Sequence, residues 1–361
     1  KRHQSYRGTD SMLELRWLPS SRFNAIVGGE FLYDHEDLPT ATRVNRVTGA
    51  EFEAATSRSV NSIALGNVAG YVSINYKLLD PWIKLTGGAR VDRHSQYGSQ
   101  TTGRAGITSR LSASLVAKLL YGSAFKAPST YLMYATPLRP GDVIGNPNLS
   151  PQHIHTVEFQ LSFRPSNFFG LTSGVSQNWL LDKAEFTPQG INLAARNVAS
   201  QRSFTWETRV EAKHYNDVAA YASFELIRSW RDLGQEGYAA NLVGTANVVY
   251  PSWIGRAGVA VGIPSTMQVP LQMSSQLMVV GPRRAADATI VQMGHDVVYP
   301  TYTLLDLSLS TREIYWIRGQ ESRLSLHGRN LLNARGPEPG FGAFEYPLRR
   351  TQVFLAFDHT Y

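Results

Sequence analysis

The feature that most constrains this chain is a period of two that recurs from one end to the other. From Val68 onward, Val68, Gly70, Val72, Ile74 and Tyr76 fall on one face, and Ala69, Tyr71, Ser73, Asn75 and Lys77 on the other. Trp206, Thr208, Val210 and Ala212 alternate with Glu207, Arg209, Glu211 and Lys213. Near the end, Val353, Leu355 and Phe357 alternate with Gln352, Ala356 and Asp358. Alternation of this kind marks half-buried strands, and no segment sustains a 3.6-residue period. The expected fold class is all-β.

Fifteen such runs can be counted: 8–18, 22–34, 66–78, 82–93, 101–110, 114–126, 153–164, 168–181, 203–214, 218–230, 255–263, 269–280, 301–312, 323–333 and 349–361. Many are ten to thirteen residues long, beyond the five or six of globular sheets. They match the roughly 9–11 residues that carry a tilted strand across a bilayer. The connections segregate by length. Short turns are expected at Pro19–Ser21, Leu79–Pro81, Leu111–Ala113, Pro165–Asn167, Tyr215–Asp217 and Pro264–Thr266. Long links are expected over His35–Leu65, His94–Gln100, Ala127–Gln152, Asp182–Arg202, Arg231–Ile254 and Gly281–Pro300. Short turns on one side and long loops on the other predict an antiparallel transmembrane β-barrel. A propeller would repeat every 40–45 residues or so, and no such repeat is present.

Composition agrees. Only 17% of residues are charged, below the roughly 25% of soluble domains, yet no apolar run approaches a membrane-spanning helix. Trp17, Trp82, Trp206, Trp230, Trp253 and Trp316 sit at or near strand ends, as interfacial girdles require. The net charge of +7 comes from scattered arginines, twenty-eight against seven lysines, and not from the clustered patch of a nucleic-acid binder. Zero cysteine removes disulfides, thiolate metal sites and cysteine nucleophiles.

Residues 122–158 carry a signature. Gly122-Ser123-Ala124-Phe125-Lys126-Ala127-Pro128-Ser129, then Gly145-Asn146-Pro147-Asn148-Leu149-Ser150-Pro151 and Glu158, resembles the TonB-dependent outer-membrane receptors. Gln152 stands where that family usually has an acid. Asn197-Val198-Ala199 with Glu207 resembles a further family block, with Ala199 and Thr205 in place of glycines. Val280-Gly281-Pro282-Arg283, Leu304-Leu305-Asp306-Leu307, Asn330-Leu331-Leu332-Asn333 and Tyr346-Pro347-Leu348-Arg349-Arg350 follow in family order, and Tyr361 supplies a terminal aromatic. The match runs over residues 82–361, and residues 1–81 fit by pattern alone.

The resemblance implies a 22-stranded barrel filled by an N-terminal plug. This chain supplies about fifteen strands and no plug-like segment, and closed single-chain bacterial barrels carry even numbers. The expectation is that residues 1–361 are the C-terminal part of such a barrel, strands about 8–22, cut in a surface loop. Lys1 would then be extracellular and Tyr361 periplasmic. A separate strand over Gly237–Tyr250 would raise the count to sixteen and restore a porin as the alternative. The implied function is active uptake of a scarce, bulky ligand: a siderophore, cobalamin, an oligosaccharide or a peptide. The implied partners are a plug-bearing N-terminal part, TonB with ExbB and ExbD through it, outer-membrane lipid and lipopolysaccharide, and a surface lipoprotein or larger envelope complex. No cofactor and no nucleic acid are expected. A receptor-like barrel serving as an envelope scaffold is the other alternative.

Other candidates carry less. Asp34-His35-Glu36-Asp37 has the donor types for a cation, but charge is ordinary in the polar loop expected there. His153 and His155 share a strand face with no third ligand. Gly170-Leu171-Thr172-Ser173-Gly174 places its serine one position late for a nucleophile elbow, and on a strand. No histidine is set to activate it, so no enzyme is expected. Gly258 and Gly262 mark a close approach or a bend. Arg16, Lys84, Arg90, Arg209 and Arg323 are expected on the lumen face, in contact with a plug or an anionic ligand.

Overall fold

The computed structural model describes residues 2–53, 62–137, 142–214, 218–234, 250–263, 269–285, 293, 295, 297–312, 314–317, 320–338 and 345–360. Fifteen strands of nine or more residues form one antiparallel meander. They are β1 (Arg2–Ser20), β2 (Phe23–Val44), β3 (Ser62–Leu79), β4 (Ile83–His94), β5 (Gly98–Arg110), β6 (Leu115–Lys126), β7 (Gln152–Ser166) and β8 (Phe169–Gln189). There follow β9 (Asn192–His214), β10 (Val218–Gly234), β11 (Trp253–Ile263), β12 (Leu271–Val280), β13 (Tyr302–Thr311), β14 (Gln320–Arg329) and β15 (Gln352–Thr360). Each pairs with its neighbours in chain order. Among the described residues, β1 pairs only with β2 and β15 only with β14, so the sheet has two open edges.

The alternation reads directly onto two faces. One register row runs Phe23, Tyr76, Leu85, Ile107, Leu119, Phe159, Val175 and Trp206 across eight neighbouring strands. Large apolar side chains on this face are the exposed ones, with Leu13 at 79% and Leu355 at 68%. In water that inversion would be untenable across a whole sheet, whereas a hydrocarbon surround makes it the favourable arrangement. The opposite face is polar and more sheltered. One of its rows runs Glu14, Gly28, Tyr71, Arg90 and Thr102.

Short turns join the strands at one end: Ser21-Arg22, Asp80-Pro81-Trp82, residues 111–114 and Asn167-Phe168. The expected turns at 215–217 and 264–266 lie outside the described residues, as do Lys1, Tyr361 and most of the alternative strand over 237–250. At the other end the expected long links differ in three places. The link His94–Gln100 is a three-residue turn, 95–97. The link from Asp182 to Arg202 is a continuation of β8 and β9, closed by the turn Gly190-Ile191 with Gly190 at φ +62°. Strand β2 likewise runs on to Val44 and pairs with Glu51–Glu53. The apolar alternation stops where the sheet leaves the apolar layer, but ladder hydrogen bonds do not depend on it.

Candidate functional site

Two loop assemblies stand at the long-loop end of the sheet, and a charged wall runs along its polar face. The first is built on the loop after β6. Ser129 caps a five-residue helix, Thr130–Tyr134, by accepting from the Leu132 amide. Its Met133 packs with Leu149 and Ala195 in a cluster of buried hydrophobic residues. Gly145 passes so close to the helix end that a Cβ would meet the backbone nitrogens of Ala135 and Tyr134 and the Met133 carbonyl at 2.5–2.6 Å. Asn146 accepts from the Asn148 amide at 3.0 Å and donates to the Ala195 carbonyl at 3.1 Å. Asn197 takes the Ser150 amide at 2.8 Å and gives its own amide protons to Ser150 and Asp182 carbonyls. The short strand Val143–Ile144 pairs in parallel with Leu193–Ala194 of β9. Pro128 and Pro151 are buried at the two ends of the loop between β6 and β7. The signature residues Pro128, Asn146, Pro147, Leu149, Pro151 and Asn197 therefore form one module that docks this loop onto the β8–β9 extension. Thr130 adds a hydrogen bond to Glu36 of β2.

The second assembly joins the loops 281–301 and 330–351. Arg283, whose side chain is 2% exposed, donates to both carboxylate oxygens of Glu338 at 2.7 and 3.1 Å and to the Pro337 carbonyl at 3.0 Å. Its guanidinium lies over Tyr302 at 4.8 Å and Tyr299 at 5.6 Å. Asn330 is buried at φ +48° and spans the base of its loop. It accepts from the Ala334 amide, donates to the Ala334 and Arg349 carbonyls, and receives Thr351 on its own carbonyl. Leu331 ties that base to β13 through Leu305, and the Asn330 amide reaches Asp306 at 2.8 Å. Gly281 lies against the Trp253 indole, where a Cβ would sit 2.8 Å from Nε1.

The polar face of β1–β5 forms the wall. Arg90 pairs with Glu30 at 2.6 Å and with Asp92 at 2.8 and 2.9 Å, and Asn67 donates to Asp92 at 2.9 Å. The Tyr71 ring lies flat over Gly28, whose Cβ would fall 2.3 Å from it, and reaches across to Glu14 at 2.8 Å. A mirror of this arrangement occurs on β10 and β11, where Tyr221 lies over Gly258 beneath the Arg209 guanidinium at 4.2 Å. Arg209 also pairs with Glu211 at 2.6 Å, and Arg256 with Glu225 at 3.4 Å. Arg323 donates to Gln272 at 3.4 Å. Arg16, Lys84, Arg90, Arg209 and Arg323 all lie on this face, as their register demands. Above it, burial against His94, with rings 3.8 Å apart, pushes the Tyr97 phenol up to about 12.

The remaining candidates are scattered. Phe125 ends β6 opposite His153, on the apolar side of the sheet. Glu158 and Glu207 stand on the polar wall, Glu207 opposite Glu225. Arg350 is exposed in the last loop. Asp34, His35, Glu36 and Asp37 lie on β2 and not in a loop. The pleat sends them alternately to two faces: Asp34 takes Tyr6, Glu36 takes Thr130, and His35 lies 3.7 Å from Asp37. His153 and His155 do share a face, but His153 turns to Gln100 at 2.8 Å and His155 to Tyr121 at 2.9 Å. Ser173 is on the apolar face in mid-strand, bonded to Thr208 and the Trp206 indole. Glu338, Tyr299, Met133 and Ala195 had no signal in the sequence, because each gains its role from a loop folded onto another.

Comparison with known proteins adds the family. The family model for "TonB dependent receptor-like, beta-barrel" matches residues 2–331. A vitamin B12 transporter, BtuB of Vibrio cholerae, is 34% identical over 94 residues, which is 26% of this chain and 13% of the transporter. Among solved structures, the copper transporter OprC superposes with a TM-score of 0.73 at 14% identity, over 100% of this chain and 57% of its own. The siderophore receptor PirA from Acinetobacter baumannii superposes at 0.69 with 13% identity, over 99% and 55%. The chain thus spans little more than half the length of the structures it resembles. With an apolar outer face, a charge-paired inner wall and a family match over nearly its whole length, the chain belongs to the TonB-dependent receptors of the Gram-negative outer membrane, as part of their β-barrel.

Proposed function

We propose that residues 1–361 are the C-terminal part of the barrel of an active outer-membrane importer, strands about 8–22 of 22, working around a plug carried by an N-terminal part. The observation that carries this reading is the pair of open edges on β1 and β15. An unpaired edge within hydrocarbon leaves a row of amides and carbonyls without partners, at several kcal/mol each. About seven further strands would close it, in keeping with the 57% coverage of OprC. Strand β15 runs toward the short-turn end, and on this reading that end is periplasmic, so Thr360 lies toward the periplasm and β1 begins outside. The inner wall then contacts the plug. Arg90, Arg209 and Arg256 on it are already paired within the sheet, which suits a fixed polar lining better than a site for a free anion.

The ligand is a scarce, bulky solute of the siderophore, cobalamin, oligosaccharide or peptide class, received on the two loop assemblies and the plug. TonB, with ExbB and ExbD, supplies the energy through the N-terminal part. The test is the intact mass, under denaturing conditions, of the protein purified from outer membranes, with N-terminal sequencing of every band. A parent chain roughly twice this size, or a co-purifying plug-bearing partner, supports the proposal. A lone 40 kDa barrel with steady conductance refutes it in favour of a porin.

A further inference from the structure

Arg90, Arg209 and Arg256 of the polar wall each hold a carboxylate within the sheet. Arg104 of β5 does not. It stands in the next row of that face toward the short turns, which reads Arg16, Ile26, Ser73, Gly88, Arg104. Its side chain lies across Gly88 of β4, where a Cβ would come within 3.2 Å of Nε and 3.5 Å of Cγ. It ends on β3, donating from Nη2 to the hydroxyl of buried Ser73 at 2.8 Å. Among the described residues no carboxylate pairs with it, and no other side chain accepts from it. In the two rows toward the long loops, Arg90 engages Glu30 and Asp92, and Tyr71 engages Glu14. Toward the short turns the same face of β3–β6 carries Lys77, Lys84, Arg110 and Lys118 and no carboxylate. Arg104 opens on a recess of about 290 Å³, lined also by Glu30, Tyr71, Arg90, Thr102 and Gly103.

An exposed cation in a polar lumen needs no countercharge, and Lys84 is such a case. Arg104 differs in being fixed. Ordering an arginine costs rotamer entropy, and here a glycine beneath the stem and a buried hydroxyl at the tip hold it in one place. A planar fork so held is preorganised for an anion, with its remaining donors left to the recess that it lines. A carboxylate matches it best, because it is planar and accepts two parallel N–H bonds. The Thr102 hydroxyl, two residues back on the same strand face, can donate a third. A dianion such as phosphate fits less well, since Arg104 is the unneutralised cation of the recess and the Glu30 carboxylate stands in it. We propose that Arg104 is a carboxylate seat on the lumen wall. The acid comes from a plug side chain or from a passing solute. Both present the same chemistry, and only the first source rests on the receptor reading above.

The test uses the protein as purified from outer membranes, titrated calorimetrically with benzoate, benzamide and phenylphosphonate, and crystallised without them. Where a solute is the source, benzoate binds and benzamide does not. Loss of the charge-assisted bonds in R104Q then weakens benzoate about 10- to 150-fold. S73A, which keeps the charge and removes the anchor, weakens it about 2- to 12-fold. R104K, which keeps the charge and loses the fork, also weakens it. Where the plug is the source, the crystal structure shows a plug carboxylate on Arg104 and benzoate is excluded. R104Q then speeds amide exchange in that plug segment by the same 10- to 150-fold or so. Lys213→Gln, an exposed lysine on the polar face of β9, changes neither readout. The seat is overturned by the absence of both a plug acid and benzoate binding, by benzamide binding as tightly as benzoate, or by an equal loss in Lys213→Gln. A plug acid whose segment R104Q leaves unchanged also overturns it, and phenylphosphonate binding more tightly than benzoate overturns the carboxylate assignment. In a plug-free barrel the benzoate titration applies unchanged, so failure of the seat and failure of the receptor reading are told apart.

Discussion

The Arg283–Glu338 pair should fail asymmetrically. Its two ends differ in burial: the arginine side chain is 2% exposed and the glutamate 31%. Replacing Glu338 with glutamine keeps the shape but leaves a guanidinium enclosed by Tyr299, Tyr302 and the Pro337 carbonyl with no countercharge. Breaking a buried pair from that side costs about 3–5 kcal/mol. Replacing Arg283 with methionine removes the buried charge instead, and Glu338 can take up water. The loss is then the hydrogen bonds to Glu338 and to the Pro337 carbonyl and the ring contacts, offset by the desolvation cost that the buried guanidinium no longer carries, a net of about 1.5–3 kcal/mol. These energies act on the docking of one loop upon another and not on the sheet, so they appear as local opening. Amide hydrogen exchange at Arg283–Ala285 and at Glu338 reads them. Glu338→Gln should speed exchange there by roughly 150-fold or more, and Arg283→Met by roughly 10- to 150-fold. Exchange in β12 and β13 should not change. Equal effects, the reverse order, or faster exchange throughout the sheet would refute the claim that the pair is a loop clamp held by a buried charge.

Three further outcomes follow from particular contacts. Gly145→Ala places a methyl 2.5 Å from backbone atoms that cannot move aside. The helix Thr130–Tyr134 should undock, which proteolysis within 127–151 would detect, while heat resistance of the barrel in detergent is retained. Val72→Arg, in the middle of the apolar row of β3, should cost about 2–4 kcal/mol in a bilayer unfolding assay. Gln276→Arg, on the inner face, should cost under half of that, and equal costs would contradict the assignment of faces. Tyr97 favours its neutral form in the folded protein, so its contribution is complete below pH 10 and declines as pH rises from 10 toward 12. Protection in the turn 95–97, taken as the exchange rate relative to the hydroxide-catalysed intrinsic rate at each pH, should fall over that window in the parent protein and not in Tyr97→Phe.

The sequence by itself determined the strands, their order and the face each residue takes. Val68, Val72 and Ile74 face outward while Tyr71 and Ser73 face inward because a strand's pleat has a period of two, and a bilayer rewards an unbroken apolar set on one side. It also marked the chain as part of a TonB-dependent receptor barrel, since the stretches around Asn146, Asn197 and Asn330 carry family motifs in family order. Strand ends beyond the apolar layer were not legible: β8 and β9 run on to Gln189 and Asn192 as a ladder that no hydropathy pattern marks. Only the tertiary structure decided what the loop residues do. Arg283 meets a glutamate 55 positions away, Tyr71 crosses Gly28 to reach Glu14, and Asp34–Asp37 are divided between two faces of a strand. Those pairings are set by which backbones pass close to one another, and a single chain read in order contains no measure of that distance.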